Sequence, residues 1–231
     1  MNFKNTLISG TLVKRYKRFF ADIKIGKKIV TAHCPNTGSM AGLLKKGNKV
    51  WITRATDPNR KLKFTLEIIQ VDGFKIGVNT HSTNKIFFEA LENNRLHFFK
   101  NVKKIEKEKK YGSNTRFDFL VTDGEKKTFI EVKNVTLSRE KMLAEFPDSI
   151  TTRGSKHLTE LIKANKNGYK IFLAFVIQRN DCDKFSIAKD IDINYAKLLT
   201  KAIKNNLNVI CYDCKFSSKG IKLNKEIKFC K

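Results

Sequence analysis

The sequence predicts a small β-barrel followed by an α/β domain, and three observations support this division. The chain has 231 residues, 41% of them hydrophobic, which suffices for one large core or two small ones. Short β-type segments separated by turn residues fill positions 1–80, and helix-type and strand-type segments alternate from position 81 onward. We therefore expect one domain at residues 1–80 and a second at residues 81–231.

The first region contains five β-type segments. Turn residues separate them at Gly26, Pro35-Asn36, Gly47-Asn48, Pro58-Asn59 and Asp72-Gly73. The predicted strands cover residues 12–25, 28–33, 49–55, 64–71 and 75–78. Five short strands in so little chain predict a closed or nearly closed barrel of the OB type.

The second region has the pattern of a mixed sheet flanked by helices. Residues 171–177 are continuously apolar, as expected of a strand that is buried on both faces. Predicted helices cover residues 81–94, 155–165 and 194–204, and further strands cover 116–121, 129–132 and 209–212. The strands at 116–121 and 129–132 flank Asp123-Gly124, which predicts a β-hairpin.

The composition indicates a polyanionic partner. There are 47 Lys and Arg against 22 Asp and Glu, a formal net charge of +25, and such an excess repels itself unless polyanions screen it. AT-rich codons explain only part of the excess, because they raise acidic residues alongside lysine. Positions 1–80 hold 16 basic and 4 acidic residues, a net charge of +12. We expect binding to a nucleic acid, either DNA or RNA.

The expected location is the cytoplasm, without a membrane partner. The first ten residues lack an apolar core, and the longest apolar run is far too short to cross a bilayer. Five cysteines at irregular spacing suit reduced thiols. Cys211 and Cys214 lack the second pair that a structural zinc site would need.

Cations and rings alternate near the start of the barrel, at Arg15, Tyr16, Lys17 and Arg18, followed by Phe19-Phe20. Such a surface can hold phosphates and stack bases. The alternative is a strand whose rings face the barrel core while its charges face water. The sequence leaves both interpretations open.

Two carboxylates are predicted to converge in the hairpin at residues 116–132. Side chains alternate along a strand, so Arg116 and Asp118 share a face, and so do Glu131 and Lys133. A turn centred between Gly124 and Glu125 places Asp118 directly opposite Glu131. A turn centred on Asp123-Gly124 offsets them by two residues but keeps them on one face.

Facing carboxylates repel unless a cation or a shared proton neutralises them. Mg²⁺ or Mn²⁺ held by Asp118 and Glu131 would do so, while Lys133 would act on water or phosphate. Glu108 is the candidate third acid, and Glu106 competes with it. The alternative is an ordinary polar hairpin face. The acid, the Glu-x-Lys tripeptide, the apolar reverse face and the following helix and strand match the core of the PD-(D/E)xK nucleases.

Longer segments carry a resemblance to a family. The chain resembles the bacterial and archaeal sugar fermentation stimulation proteins in LVKRYKRFFAD (12–22), HCPNTGSM (33–40), VNTHSTNK (78–85), YGSNTRFDF (111–119), IEVKNVTL (130–137) and FPDSITTRGSKHLTEL (146–161). The resemblance implies DNA binding, a link to sugar-utilisation genes, and an OB-like domain followed by a PD-(D/E)xK nuclease-like domain.

That resemblance places the nuclease motif on Asp118, Glu131 and Lys133, with Glu108 as the expected extra acid. Candidate phosphate contacts are Arg116 on the hairpin and, at the start of the following helix, Arg153, Lys156 and His157, although a solvated basic turn is equally consistent. Two functions compete: a magnesium-dependent nuclease, and a non-catalytic DNA-binding regulator of sugar-utilisation genes. The sequence favours the nuclease, because a surface that only binds DNA has no need of facing acids that repel phosphate.

Overall fold

A computed structural model of the chain describes residues 1–113 and 115–230. Its N-terminal part contains the strands β1 (Ile8–Tyr16), β2 (Phe20–Ile25), β3 (Lys28–His33), β4 (Lys49–Arg54), β5 (Phe64–Val71) and β6 (Phe74–Gly77). The first five form a closed barrel in the order β1-β2-β3-β5-β4, in which β4 pairs back with β1. A short parallel contact between β3 and β5, at Ala32 and Phe64, completes the ring. The predicted OB-type barrel is confirmed.

The predicted strand at residues 12–25 is wrong, because the chain turns back within it. β1 and β2 form an antiparallel hairpin in which Tyr16 pairs with Phe20. Lys17 and Arg18 make the turn with φ angles of 46° and 60°. These angles lie in the left-handed region that favours glycine. No glycine, proline or asparagine marked this turn. The last predicted strand corresponds to β6, which lies outside the ring and pairs with β5.

The second part contains three helices and the remaining strands in the described chain. The helices are α1 (Thr83–Glu92), preceded by a 3₁₀ turn (Thr80–Ser82), α2 (Thr152–Lys166) and α3 (Ile193–Lys204). The strands are β7 (Lys104–Tyr111), β8 (Thr115–Asp123), β9 (Lys126–Val135), β10 (Leu137–Glu140), β11 (Leu143–Phe146), β12 (Lys170–Ile177), β13 (Lys184–Ile187), β14 (Asn208–Phe216), β15 (Ile221–Glu226) and β16 (Lys228–Cys230).

The central sheet of this domain has six strands in the order β15-β14-β12-β9-β8-β7. Its middle strands β9, β12 and β14 run parallel. α1 packs on one face of the sheet, and α2 and α3 pack on the other. Because both faces are covered, β12 is apolar at nearly every position. The mixed α/β architecture agrees with the sequence prediction.

Side chains cap the two longer helices at their first residues. The hydroxyl of Thr151 accepts the N–H of Gly154 at the start of α2, and the carboxylate of Asp192 accepts the N–H of Tyr195 at the start of α3. Such caps satisfy donors that have no partner within the helix. The caps fix where α2 begins, and α2 carries residues of the candidate site.

The barrel and the α/β domain meet along a seam with backbone contacts. The N–H of Gly77 in β6 donates to the carbonyl of Gln178 at 2.8 Å, and Ile76 forms a β-bridge with Arg179. A side chain on Gly77 would collide with Gln178. Glycine at this position lets β6 approach the second domain closely without displacing the Gln178 side chain.

A second seam contact comes from the loop after β3. The backbone N–H of Met40 donates to the carboxylate of Asp148 at 3.3 Å. The α-carbon of Gly38 packs so closely on this carboxylate that a β-carbon there would overlap it. No helix in residues 1–113 and 115–230 is long and apolar enough to cross a membrane.

Candidate active site

The register of the β8–β9 hairpin determines how Asp118 and Glu131 are placed relative to each other. Asp123 pairs with Lys126 and Phe119 pairs with Ile130, so the same register carried one step further brings Asp118 level with Glu131. This is the first of the two registers considered from the sequence, with the turn centred between Gly124 and Glu125.

Strict alternation fails at Asp118, contrary to the sequence prediction. The ring of Phe117 packs on Phe129, with centroids 4.9 Å apart, whereas the ring of Phe119 packs on Phe87 of α1, on the opposite face. The ladder between the strands ends at Phe119, and the Oδ2 atom of Asp118 accepts the backbone N–H of Val132 at 2.7 Å. The carboxylate thus takes the place of a backbone acceptor where the two strands separate.

Asp118 is held by neutral donors in a mostly buried position. Its Oδ1 atom accepts a hydrogen bond from the side-chain amide of Asn84, in the first turn of α1, at 2.7 Å. Burial, together with the negative charge of Glu131, raises the pKa of Asp118 to about 6, although the Val132 and Asn84 hydrogen bonds and the Lys133 charge act in the opposite direction. A nearby positive charge would therefore stabilise the ionised form of Asp118.

Glu131 is the most buried charge of the site, with 3% of its surface exposed. Its Oε1 atom accepts the ammonium of Lys133 at 2.6 Å and also meets Nδ1 of His157. Burial alone would raise the pKa of Glu131, but Lys133 and His157 outweigh it and lower this pKa. Its Oε2 atom is buried and has no hydrogen-bond partner in the described part of the chain.

His157 differs from its predicted role as a phosphate contact. The ring is buried between α2 and the sheet, its Nδ1 atom lies against Glu131, and its Nε2 atom accepts a hydrogen bond from Arg153 at 3.5 Å. Acceptance at Nε2 leaves the proton on Nδ1, which donates to the carboxylate. The available sequence signal was the position of His157 on the apolar face of α2, one turn before Leu161. Asn84 carried no comparable signal.

The third predicted acid is not brought into the site. Lys107 pairs with Phe119 and Lys109 pairs with Phe117, so Glu108 is level with Asp118. Glu108 nevertheless is exposed and has a φ angle of 50°, and no group of three His, Cys, Asp or Glu side chains within residues 1–113 and 115–230 could hold a metal ion. The competing Glu106 is bound to Lys109 at 2.6 Å.

Arg15 also differs from its predicted role, because its guanidinium is engaged within the protein. It donates to the backbone carbonyls of Arg18 at 2.9 Å, Asn36 at 2.7 Å and Gly38 at 3.2 Å. These bonds hold the loop that contacts Asp148. Arg15 therefore supports the seam between the domains.

The other residues of the predicted cation–aromatic stretch lie on the surface. Tyr16 stacks on Phe20 with ring centroids 5.5 Å apart, and neither ring belongs to the barrel core. Lys17 and Arg18 are exposed at the hairpin tip, and Phe19 is 42% exposed. Of the two interpretations considered from the sequence, rings inside the barrel core are excluded.

A cleft of about 280 Å³ lies between the domains beside Lys133. Its walls are the loop at 36–38, the end of β9 and the segment at 147–151. Arg153 and Lys156 are exposed on the first turns of α2, and Arg116 is exposed on β8. The structure therefore places three of the predicted phosphate contacts at the surface of the α/β domain.

Asp118 and Glu131 are the residues that could hold a divalent metal. Within the described residues, the Oε2 atom of Glu131 has no hydrogen-bond partner, and the pKa of the neighbouring Asp118 is raised, so an added cation would stabilise the ionised form of Asp118. Two carboxylates suit a hard ion that keeps several of its waters, as Mg²⁺ does.

Comparisons with known proteins extend over nearly the whole chain. The model of the SfsA N-terminal OB domain matches residues 13–78, and the model of the sugar fermentation stimulation protein RE domain matches residues 81–220. A sugar fermentation stimulation protein homolog from Pelagibacter ubique is 56% identical over 228 residues, covering 99% of this chain and 98% of the relative. A homolog from Brucella anthropi is 41% identical over 223 residues, covering 96% of each protein.

The solved structure of Pyrococcus furiosus SfsA in complex with Ca²⁺ has the same fold. It superposes with a TM-score of 0.90 at 24% identity and covers 99% of this chain and 97% of that one. The paired domain models, the close relatives and the shared fold agree with the resemblance seen in the sequence. The chain belongs to the sugar fermentation stimulation protein family.

Proposed function

We propose that the protein is a metal-dependent phosphodiesterase that cleaves DNA or RNA. One observation carries the proposal. The buried Oε2 atom of Glu131 has no hydrogen-bond partner among the described residues, and Glu131 lies beside Asp118, whose pKa is raised, and beside the ammonium of Lys133. Such a set is costly for folding unless it serves a ligand.

The metal we propose is Mg²⁺ or Mn²⁺, held by Asp118 and Glu131. The P. furiosus relative is described in complex with Ca²⁺, another hard cation that prefers oxygen ligands. When bound, such an ion lowers the pKa of a coordinated water and offsets the negative charge that builds on a phosphate.

The protein's own residues have separate tasks in this proposal. Asn84 and His157 fix the orientation of Asp118 and Glu131 through the hydrogen bonds described above. Lys133, at the wall of the interdomain cleft, would donate to the attacking water or to a non-bridging phosphate oxygen.

The barrel would grip the nucleic acid. Lys17 and Arg18 offer charge at the hairpin tip, and the partly exposed ring of Phe19 beside them can stack on a base. The match to an OB domain supports this role, because OB barrels often bind single strands.

A second candidate function is a DNA-binding protein without catalysis, which would fit a regulator of sugar-utilisation genes. The observation that favours it is the position of Glu108, which remains outside the site. Two acids hold a metal more weakly than three, and a nuclease-like fold can bind without cutting.

Labelled single- and double-stranded DNA and RNA, incubated with purified protein and Mg²⁺, Mn²⁺ or EDTA, would separate the two functions. We expect cleavage of at least one substrate with either metal and none with EDTA. Glu131→Gln is the matched control, because it keeps the side-chain shape but removes the charge. Equal background cleavage by wild type and Glu131→Gln on every substrate would leave the binding function.

A further inference from the structure

A second cleft, of about 480 Å³, lies between the barrel and the start of the α/β domain. Its walls come from the ends of β3 and β4, from β5, from residues 79–85 and from the first four residues of the chain. A volume of this size can take a nucleotide-sized ligand. The cleft is separate from the one beside Lys133.

This second cleft has an excess of positive charge. Its basic residues are Lys4, Arg54, Arg60 and Lys85, and none of them forms an ion pair within the described residues. Its one acid, Glu67, is buried, and both carboxylate oxygens are occupied by neutral donors. The hydroxyl of Thr53 lies at 2.8 Å from one oxygen, and the amide of Asn79 lies at 2.9 Å from the other.

Arg60 is fixed in place without a carboxylate. Its guanidinium donates to the hydroxyl of Thr65 at 3.0 Å and lies 3.0 Å from Nδ1 of His33. Burial, and then the positive charges of Arg60 and His81, lower the pKa of His33, so that its ring acts as a neutral acceptor. A guanidinium held only by neutral partners keeps its charge available for an anion.

We propose that this cleft binds a phosphate group of a nucleic acid strand, with Arg60 and Lys85 as its principal contacts. The planar, pre-positioned guanidinium suits the geometry of phosphate oxygens, and Lys85 adds a mobile positive charge. The nucleic-acid identity of the phosphate carrier rests on the proposed function. The affinity for phosphate itself does not.

The first turn of α1 connects this cleft to the candidate active site. Asn84 donates to Asp118, whereas its neighbour Lys85 lines the phosphate cleft. Ser82, at the start of the same helix, also lines the cleft. A strand held in the cleft would thus contact the same helix turn that orients Asp118.

Calorimetry on the full chain in EDTA tests the proposal without cleavage. The probes are inorganic pyrophosphate and a pair of trinucleotides that differ only in a 5′-phosphate or a 5′-hydroxyl. We expect Arg60→Gln and Lys85→Gln each to weaken pyrophosphate binding about tenfold or more, since each removes a charged hydrogen-bond donor to a phosphate oxygen. Lys61→Gln, an exposed lysine outside the cleft, should change it less than about twofold.

The trinucleotide pair distinguishes the sources of phosphate. A preference for the 5′-phosphate assigns the cleft to a strand end, and equal binding assigns it to an internal phosphodiester. Equal pyrophosphate affinity of wild type and Lys85→Gln would overturn the proposal. Lys85 is exposed, so we expect this substitution to leave the fold intact. If the protein shows no nuclease activity but pyrophosphate binding still depends on Arg60 and Lys85, the phosphate-binding role of the cleft would stand. Only the proposed nuclease activity would then be rejected.

Discussion

The tip of the β1–β2 hairpin and the surroundings of Glu131 differ in how far their charged side chains are exposed to solvent. Lys17 and Arg18 are exposed, and neither forms an ion pair with another described residue. Glu131 is buried and bonds the mostly buried ammonium of Lys133 at 2.6 Å, and His157 packs against the same carboxylate. Exposed charges act through long-range attraction that salt screens, whereas buried charges act through fixed geometry. Binding and chemistry should therefore respond to different perturbations.

The largest expected effect separates the members of the buried group. Asp118→Asn and Glu131→Gln each remove a charged metal ligand while keeping the side-chain shape, so stabilisation of the fold by metal and cleavage should both fall to background. Lys133→Ala should retain the metal effect but lower the rate on the order of 10²-fold, because its ammonium acts on water or phosphate. Thermal unfolding with and without Mg²⁺, combined with single-turnover rates, measures both. Loss of the metal effect in Lys133→Ala would contradict this division.

Salt should weaken binding and leave the cleavage step nearly unchanged. If about six phosphates are neutralised, affinity should fall on the order of 10³-fold between 50 and 200 mM salt. The rate at saturating nucleic acid should change little, because the charges at Glu131 are shielded from solvent ions. Fluorescence anisotropy and saturating kinetics over a salt series provide the two values. A salt-independent affinity would show that the exposed cations do not grip the strand.

Proton competition should govern metal binding at mildly acid pH. The pKa of Asp118 is raised to about 6, so the metal-free carboxylate is ionised above that pH and protonated below it. Metal affinity should accordingly be lost as the pH falls through about 6, by roughly tenfold per pH unit. Asn84→Ala removes a hydrogen bond to the charged form, so its midpoint should move to higher pH. Titration calorimetry from pH 5 to pH 8 tests both, and an unchanged midpoint would exclude the role of Asn84.

The smallest expected effect lies at the hairpin tip. Arg18 has a φ angle of 60°, so Arg18→Gly should raise the free energy of unfolding by about 1 kcal/mol relative to Arg18→Ala. Both substitutions remove the same charge, and affinity for nucleic acid should therefore fall equally in the two variants. Denaturant unfolding and binding curves test this pair. Equal stability of the two variants would remove the argument for backbone strain at the tip.

The sequence predicted the hairpin that carries Asp118 and Glu131, because an Asp-Gly pair between two strand-type segments is a local turn signal. It left two registers open, and the structure has the one whose turn is centred between Gly124 and Glu125. It also predicted the three helices, whose apolar faces repeat at helical spacing. The split of residues 12–25 was missed because Lys17 and Arg18 adopt a turn conformation without a residue type that indicates it. The four-stranded sheet in the order β10-β11-β13-β16 was missed because its strands are only three or four residues long.

The candidate site was predicted only where its residues share one hairpin. His157 and Asn84 reach the carboxylates from helices, and such contacts depend on how elements pack rather than on spacing along the chain. Alternation could not predict that Phe117 and Phe119 lie on opposite faces of the sheet, because the carboxylate of Asp118 between them replaces a backbone acceptor. Arg15 is of a residue type that often contacts phosphate, but in the folded protein its guanidinium donates to backbone carbonyl groups.

The glycine at position 38 has a geometric consequence for the proposed enzyme. Gly38 packs on Asp148 of the second domain, while Arg15 of the barrel holds its carbonyl. With Gly77 fixed on Gln178 as well, the two domains cannot rotate independently without breaking backbone contacts. A strand gripped by the barrel would therefore meet the cutting residues at a constant number of nucleotides from the grip. The distance along the strand between the barrel contact and the proposed cut would then be set by the seam rather than by the base sequence.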